Sequence, residues 1–162
     1  MPIYSHSRLG TFQQCKYRFK LKYINKIKVD IPDTIETFLG GLVHEVMKKL
    51  YSDLMHQKLN SKEQLVKLFL EKWEGKWSDK ILMVKKEYTK KNYRDMGVKF
   101  ISDYYDHYKP FSSTRTIGLE TEYTFLLENG NRYHIRIDRL SCDSDGNYYI
   151  NDYKTNSKLK PQ

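Results

Sequence analysis

Cysteine is almost missing from this chain, and the two that occur, Cys15 and Cys142, stand far apart. A disulfide framework needs more of them, and their scarcity agrees with a reducing compartment. Long apolar runs are missing too: none approaches the length of a membrane span or of a signal peptide's hydrophobic region. A soluble, intracellular, cytoplasmic protein with no membrane partner is therefore expected. Internal repeats and low-complexity tracts are also absent. What remains is 162 residues with 39% hydrophobic and 14% aromatic content, enough for one domain with a buried core.

Acidic residues are outnumbered. Lys and Arg total 29 against 20 Asp and Glu, for a net charge of +9. The excess is uneven: residues 1–30 hold seven basic side chains and one acidic, whereas residues 111–162 hold seven of each. A basic surface beside a neutral, carboxylate-bearing region suits a polyanionic partner. A lysine-rich face kept only for solubility would give the same count.

Helical periodicity dominates the first two thirds. Ser5 or Ser7 can cap a helix running to about Ile24, with Arg8, Lys16, Arg18, Lys20 and Lys22 as its positive side chains. Asp33 or Thr34 can cap a second, through about Gln57, in which Ile35, Leu39, Leu42, Val46 and Leu50 recur at core spacing. In this helix His44 sits at the border of the apolar stripe, close to Gly40, whose missing side chain leaves room beside it. A third helix is expected from Asn60 to about Lys80, with Ser61 as cap, and a fourth from about Lys85 to Tyr108. The fourth helix's aromatics could stack on bases, but their spacing is that of a core face.

Strands follow the break at Pro110–Ser113. The runs Tyr133–Cys142 and Asn147–Lys154 flank Asp143-Ser144-Asp145-Gly146, dense turn chemistry that implies a hairpin. With a three-residue loop, Ser144–Gly146, and Gly146 left-handed, Asp143 pairs with Asn147 and Asp138 falls opposite Asp152. Lys154 then shares their face. Two adjacent carboxylates repel unless a cation lies between them, and a divalent ion with oxygen ligands is the usual solution. An Asp and a Lys two apart can also be a plain solvated charge pair. Glu120 joins the same face only if the preceding loop is Glu128-Asn129-Gly130; a two-residue Asn129-Gly130 turn, which Asn-Gly favours, sends it to the other.

These residues carry a resemblance. Asp138-Arg139, a turn, and Asp152-Tyr153-Lys154-Thr155 resemble the "G-x-x-DR... DYKT" signature of the RecB-like, CRISPR-associated exonuclease-like branch of the PD-(D/E)XK nucleases. The opening SHSRLGTFQQCKYRF resembles the branch's "S-x-S-R-L... C-P-x-x-F", and Gly40 to His44 its "G-x-x-x-H" element. Ile135 stands in place of the usual glycine, and Lys16 in place of proline.

The resemblance implies a metal-dependent DNA nuclease, exonuclease-like. Asp138, Asp152 and the Tyr153 carbonyl would hold Mg²⁺ or Mn²⁺, with His44 and Glu120 supporting, and Lys154 would orient the attacking water. Arg8, Lys16, Arg18, Lys20, Lys22 and Arg139 would contact nucleic acid. Some relatives hold an iron–sulfur cluster on four cysteines, which this chain lacks, so Cys15 is expected as a buried helix thiol.

The family domain continues with a helix bearing "Q-x-x-x-Y" and a further strand, so the chain is expected to cover part of it and to need a C-terminal segment or a partner subunit. The fold expected is α+β: a single partial domain over 1–162, helical over 1–110, then a three-stranded antiparallel meander over 111–162 packed on the His44 helix. It would be a restriction-endonuclease-like core without its last helix and strand. A non-catalytic nucleic-acid-binding module, or a partner-dependent fragment of a DNA repair or recombination nuclease, would show much the same sequence.

Overall fold

A computed structural model describes residues 3–28 and 33–155. The chain is mixed α+β, and the described residues form five α-helices and a four-stranded mixed sheet. It divides into two compact units, one formed by Met1–Ile31 and Glu120–Ile137, the other by Pro32–Leu119 and Asp138–Gln162.

In the first unit a short strand β1 (Ile3–Ser5) runs parallel to the start of β3 (Arg132–Cys142), with Tyr4 beside Tyr133. Three residues carry too little alternation to be read from sequence, so the meander gains a parallel strand that was not expected. The single helix expected up to Ile24 is interrupted. Helix α1 (His6–Gln14) stops at Cys15, which is extended, and α2 (Lys16–Phe19) restarts and passes into a π-helical turn, Lys20–Ile24. The Cys15 Sγ accepts the Arg18 N–H at 3.4 Å, acting as the N-cap of α2. Cys15 is thus an exposed capping thiol and not a buried helix thiol. Lys16 occupies the first helical position, where a proline costs no hydrogen bond; that is the place the resembling proteins give to proline.

The second unit is built on α3 (Ile35–Met55). Thr34 caps it by accepting the Thr37 N–H, and its apolar stripe is buried from Ile35 through Tyr51. Helices α4 (Lys62–Lys76) and α5 (Lys90–Tyr108) pack against α3 and each other, each opening with a capping box, Ser61 with Gln64 and Thr89 with Asn92. Thr89 sets the start of α5 five residues later than its lysine-rich approach suggests. Phe69, Trp73, Tyr93 and Ile101 meet α3 in the core. Strand β4 (Tyr148–Asn151) pairs antiparallel with the end of β3. Among the described residues no helix is long and apolar enough to cross a membrane.

Gly97 marks a close approach in this core, where α5 meets α4 and α3. An added Cβ would collide with the Phe69 ring and lie 2.8 Å from Leu39 Cδ1. Helix propensity alone says that Gly97→Ala stabilises by about 0.5–1 kcal/mol. Overpacking against a buried ring outweighs it, so a net loss of roughly 1–3 kcal/mol is expected in denaturant unfolding. A gain in stability would show that α4 and α5 are not packed this closely.

Candidate active site

The β3–β4 hairpin owes its register to Asp143. Its carboxylate accepts the N–H groups of Asp145 and Asn147, both at 2.9 Å, the Asn147 side-chain amide at 3.0 Å and the Tyr149 hydroxyl at 2.7 Å. Gly146 takes the left-handed conformation at φ +85°, and Asp143 N–H donates to the Asn147 carbonyl. The loop therefore has three residues, and the ladder pairs Cys142 with Tyr148 through Arg139 with Asn151. One further step puts Asp138 opposite Asp152, but β4 has ended by then.

In place of another ladder bond, the Asp138 side chain takes over. Its Oδ2 accepts the Tyr153 N–H at 2.9 Å. From α3, His44 Nε2 donates to the Tyr153 carbonyl at 2.9 Å, and its Nδ1 stands 3.5 Å from Asp138 Oδ2. The Tyr153 peptide is thereby held at both polar ends. A carbonyl can only accept, which fixes the proton on Nε2 and leaves Nδ1 facing a carboxylate oxygen. That pair needs a proton or a cation between or beside it. Gly40 lies one turn before His44, and a Cβ there would stand 3.3 Å from Thr155 Oγ1, so the room expected beside His44 is taken by the end of the DYKT segment.

Asp138 is half-buried, and burial pushes its carboxyl above the usual range. The neighbouring Asp152 carboxyl, within hydrogen-bonding reach, adds to the rise, while the Tyr153 N–H and His44 oppose it. Asp152 and Lys154 are more open, with side chains 54% and 56% exposed, and they pair at 2.5 Å. Both edge a cleft of about 470 Å³ whose apolar wall includes Met47, Phe100 and Tyr104. The Tyr153 ring turns inward against the helical core, edge-on to His44 and Tyr104.

Glu120 belongs to the first unit, where its carboxylate accepts from Arg136 Nε at 2.6 Å. The loop after its strand β2 (Arg115–Leu126) is Glu128–Gly130, closed by Leu127 N–H to the Asn131 carbonyl at 2.7 Å, with Gly130 left-handed at φ +79°. The two-residue turn favoured by Asn-Gly does not form. Glu120 itself has φ +50°, an uncommon backbone conformation for a residue other than glycine.

Arg8 is half-buried among Tyr4, Phe19 and Tyr23 and donates to the Ile3 carbonyl, while Lys16, Arg18, Lys20 and Lys22 are exposed. Arg139, expected as a nucleic-acid contact, is only 5% exposed and faces inward, over the Tyr51 ring. Tyr51 and Asn151 complete this interior cluster, and no motif in the sequence singled them out.

The turn yields a pH prediction. Its hydrogen bonds, first those of Tyr149 and Asn147, hold the Asp143 pKa down at about 2. A carboxylate depressed in the folded state stabilises above its unfolded pKa, near 3.9, and loses that contribution as pH falls through the folded value. Amide exchange at Tyr149 to Asn151 is expected to quicken as pH falls from about 4 toward 2, once the intrinsic rate is allowed for. In Asp143→Ala it is already fast at neutral pH. Equal protection in both proteins would remove Asp143 as the anchor of the register.

The profile of the PD-(D/E)XK nuclease superfamily matches residues 3–162, which includes the hairpin, the His44 helix and the basic opening segment. No curated protein matches the chain. With a family match over nearly its full length and the acidic residues, lysine and histidine of the hairpin and α3 gathered about one peptide, this chain belongs to the PD-(D/E)XK nuclease superfamily.

Proposed function

We propose that the chain is a metal-dependent deoxyribonuclease of the RecB-like kind, exonuclease-like in action. The observation that carries this reading is the doubly held Tyr153 peptide: Asp138 and His44 bind its two polar ends, and Asp152 and Lys154, its neighbours in the chain, edge the cleft. The donors that would face an ion there are oxygens: two carboxylates and a carbonyl with a lone pair to spare beyond its bond to His44. That set suits Mg²⁺ or Mn²⁺ and offers nothing to a thiophilic metal. Asp138, Asp152 and the Tyr153 carbonyl would hold the ion, with His44 fixing the carbonyl and Asp138 in place. When bound, a divalent cation supplies charge neutralisation at the phosphate and a more acidic water.

The protein's own groups then do the positioning. Lys154 carries an ammonium on a flexible stem more than half in solvent, which could exchange Asp152 for a water or a phosphate oxygen. Asp138 remains anchored by the Tyr153 N–H, so its free oxygen points consistently while the substrate enters. The exposed Lys16, Arg18, Lys20 and Lys22 would supply salt-dependent backbone contacts without reading sequence. These contacts would serve a non-catalytic binding module equally well.

Lys154→Ala separates the two readings, because it removes neither carboxylate. End-labelled single- and double-stranded DNA should be cut by the wild-type chain in Mg²⁺ or Mn²⁺. The variant is expected to bind DNA as before but to cleave roughly 10²–10³-fold more slowly, as loss of one transition-state contact does. Undiminished cleavage by Lys154→Ala would remove the lysine from the chemistry. DNA binding by the wild type without cleavage in either metal would favour the binding module.

A further inference from the structure

The residue after Asp138 carries a charge that the nuclease reading leaves unused. Arg139 is 95% withdrawn from solvent, judged by its 5% exposure. Its guanidinium carbon lies 3.9 Å above the Tyr51 ring, and Nη2 donates to Asn151 Oδ1 at 3.0 Å. Nη1 has only long contacts, 3.5 Å to Thr114 Oγ1 and 3.4 Å to Thr116 Oγ1, and among the described residues Nε has no partner. No ion pair among the described residues includes it. An interior cation set only against hydroxyls, an amide and a ring is costly to bury, because each of these compensates less than an opposite charge does.

Beside it is space for such a charge. A cavity of about 130 Å³ is lined by Arg139, Asn151, Tyr149, Tyr108, Ser113 and Thr114, among others. Its volume is that of about four water molecules, the room that a phosphorus or sulfur with four oxygens needs. Four of these residues carry hydroxyls, Ser113, Thr114, Tyr108 and Tyr149, the last already donating to Asp143, and the planar fork of Arg139 matches two oxygens of an oxyanion. Tyr51 and His44 are two turns apart on α3, roughly 10 Å along its axis, so this pocket and the candidate metal ligands do not share a side chain.

We propose that this pocket binds a small tetrahedral oxyanion on Arg139, either inorganic phosphate or the terminal phosphate of a nucleotide or nucleic-acid end. The site does not require the nuclease reading, because it uses neither Asp138, Asp152 nor Lys154. An arginine kept inward without an ion partner among the described residues then has a purpose, and Asn151 and Tyr51 hold it at the cavity wall.

The test is thermal unfolding in EDTA, titrated with sodium phosphate at ionic strength held constant with sodium chloride. A saturable rise in Tm is expected, about 3–6 °C at a tenfold excess over the dissociation constant. Arg139→Gln should abolish it. As that buried change could itself impair folding, Ser113→Phe provides a second variant: Ser113 is exposed at the rim, and the ring would fill the cavity. Ser113→Phe is expected to fold normally and lose the phosphate response, whereas Asp152→Asn keeps it. Displacement of bound phosphate by a 5′-phosphorylated dinucleotide, and not by its 5′-hydroxyl twin, would assign the pocket to nucleic-acid ends; displacement by neither would assign it to free phosphate. No response beyond that of chloride, a full response in Ser113→Phe, or loss of the response in Asp152→Asn would overturn the proposal.

Discussion

The two hydrogen bonds on the Tyr153 peptide are what the site rests on. Strand β4 ends at Asn151, so beyond that residue the sheet no longer dictates where the chain goes. Asp138 takes the N–H and His44 takes the carbonyl, one group from the sheet and one from α3, and the segment carrying Asp152 and Lys154 is fixed between them. An Asp and a Lys two apart on an ordinary exposed strand would lack any such constraint. The arrangement also gives Asp138 two tasks at once, as an anchor for the peptide and as a source of a free carboxylate oxygen.

Electrostatics divide the two carboxylates. Asp138 is withdrawn beside His44, and its burial favours the protonated form unless positive charge is brought near. Asp152 stands more than half in solvent and is already matched by Lys154. Without a further cation the pair can be relieved only by a proton or by the lysine, which is why hard, oxygen-rich donors at this edge point to a divalent ion. Arg139 shows the opposite economy: it is one residue away and carries full charge, yet its burial over Tyr51 keeps it from offering that charge to Asp138's free face.

The parts of the fold legible in the sequence were those set by local chemistry with one solution. Asp143, Gly146 and the alternation on either side of them allowed the hairpin register to be counted, and the ladder has that register. The stripe of α3 was equally plain, since a buried helix with eight residues in the core leaves a strong period. Elements that depend on a single side chain were less visible. The break at Cys15 comes from a thiol acting as an N-cap, and the start of α5 from Thr89 with Asn92, both weaker signals than the lysines around them. The Glu128–Gly130 loop went against the preference of Asn-Gly, because Gly130 alone, and not Asn129, takes positive φ. For Arg139 no local signal could tell inward from outward, as the answer lies with Tyr51 on a distant helix.

The central claim is that Asp138 is at once the anchor of the Tyr153 peptide and a ligand for a divalent ion. Calorimetric titration of Mn²⁺ into the wild-type chain and into Asp138→Asn tests it directly, with circular dichroism confirming that both are folded. One saturable ion per wild-type chain is expected, and affinity at least about 10–100-fold weaker in Asp138→Asn, a loss that even indirect supporting groups can produce. A wild-type chain that binds no ion, or a variant that binds as tightly, would contradict the account.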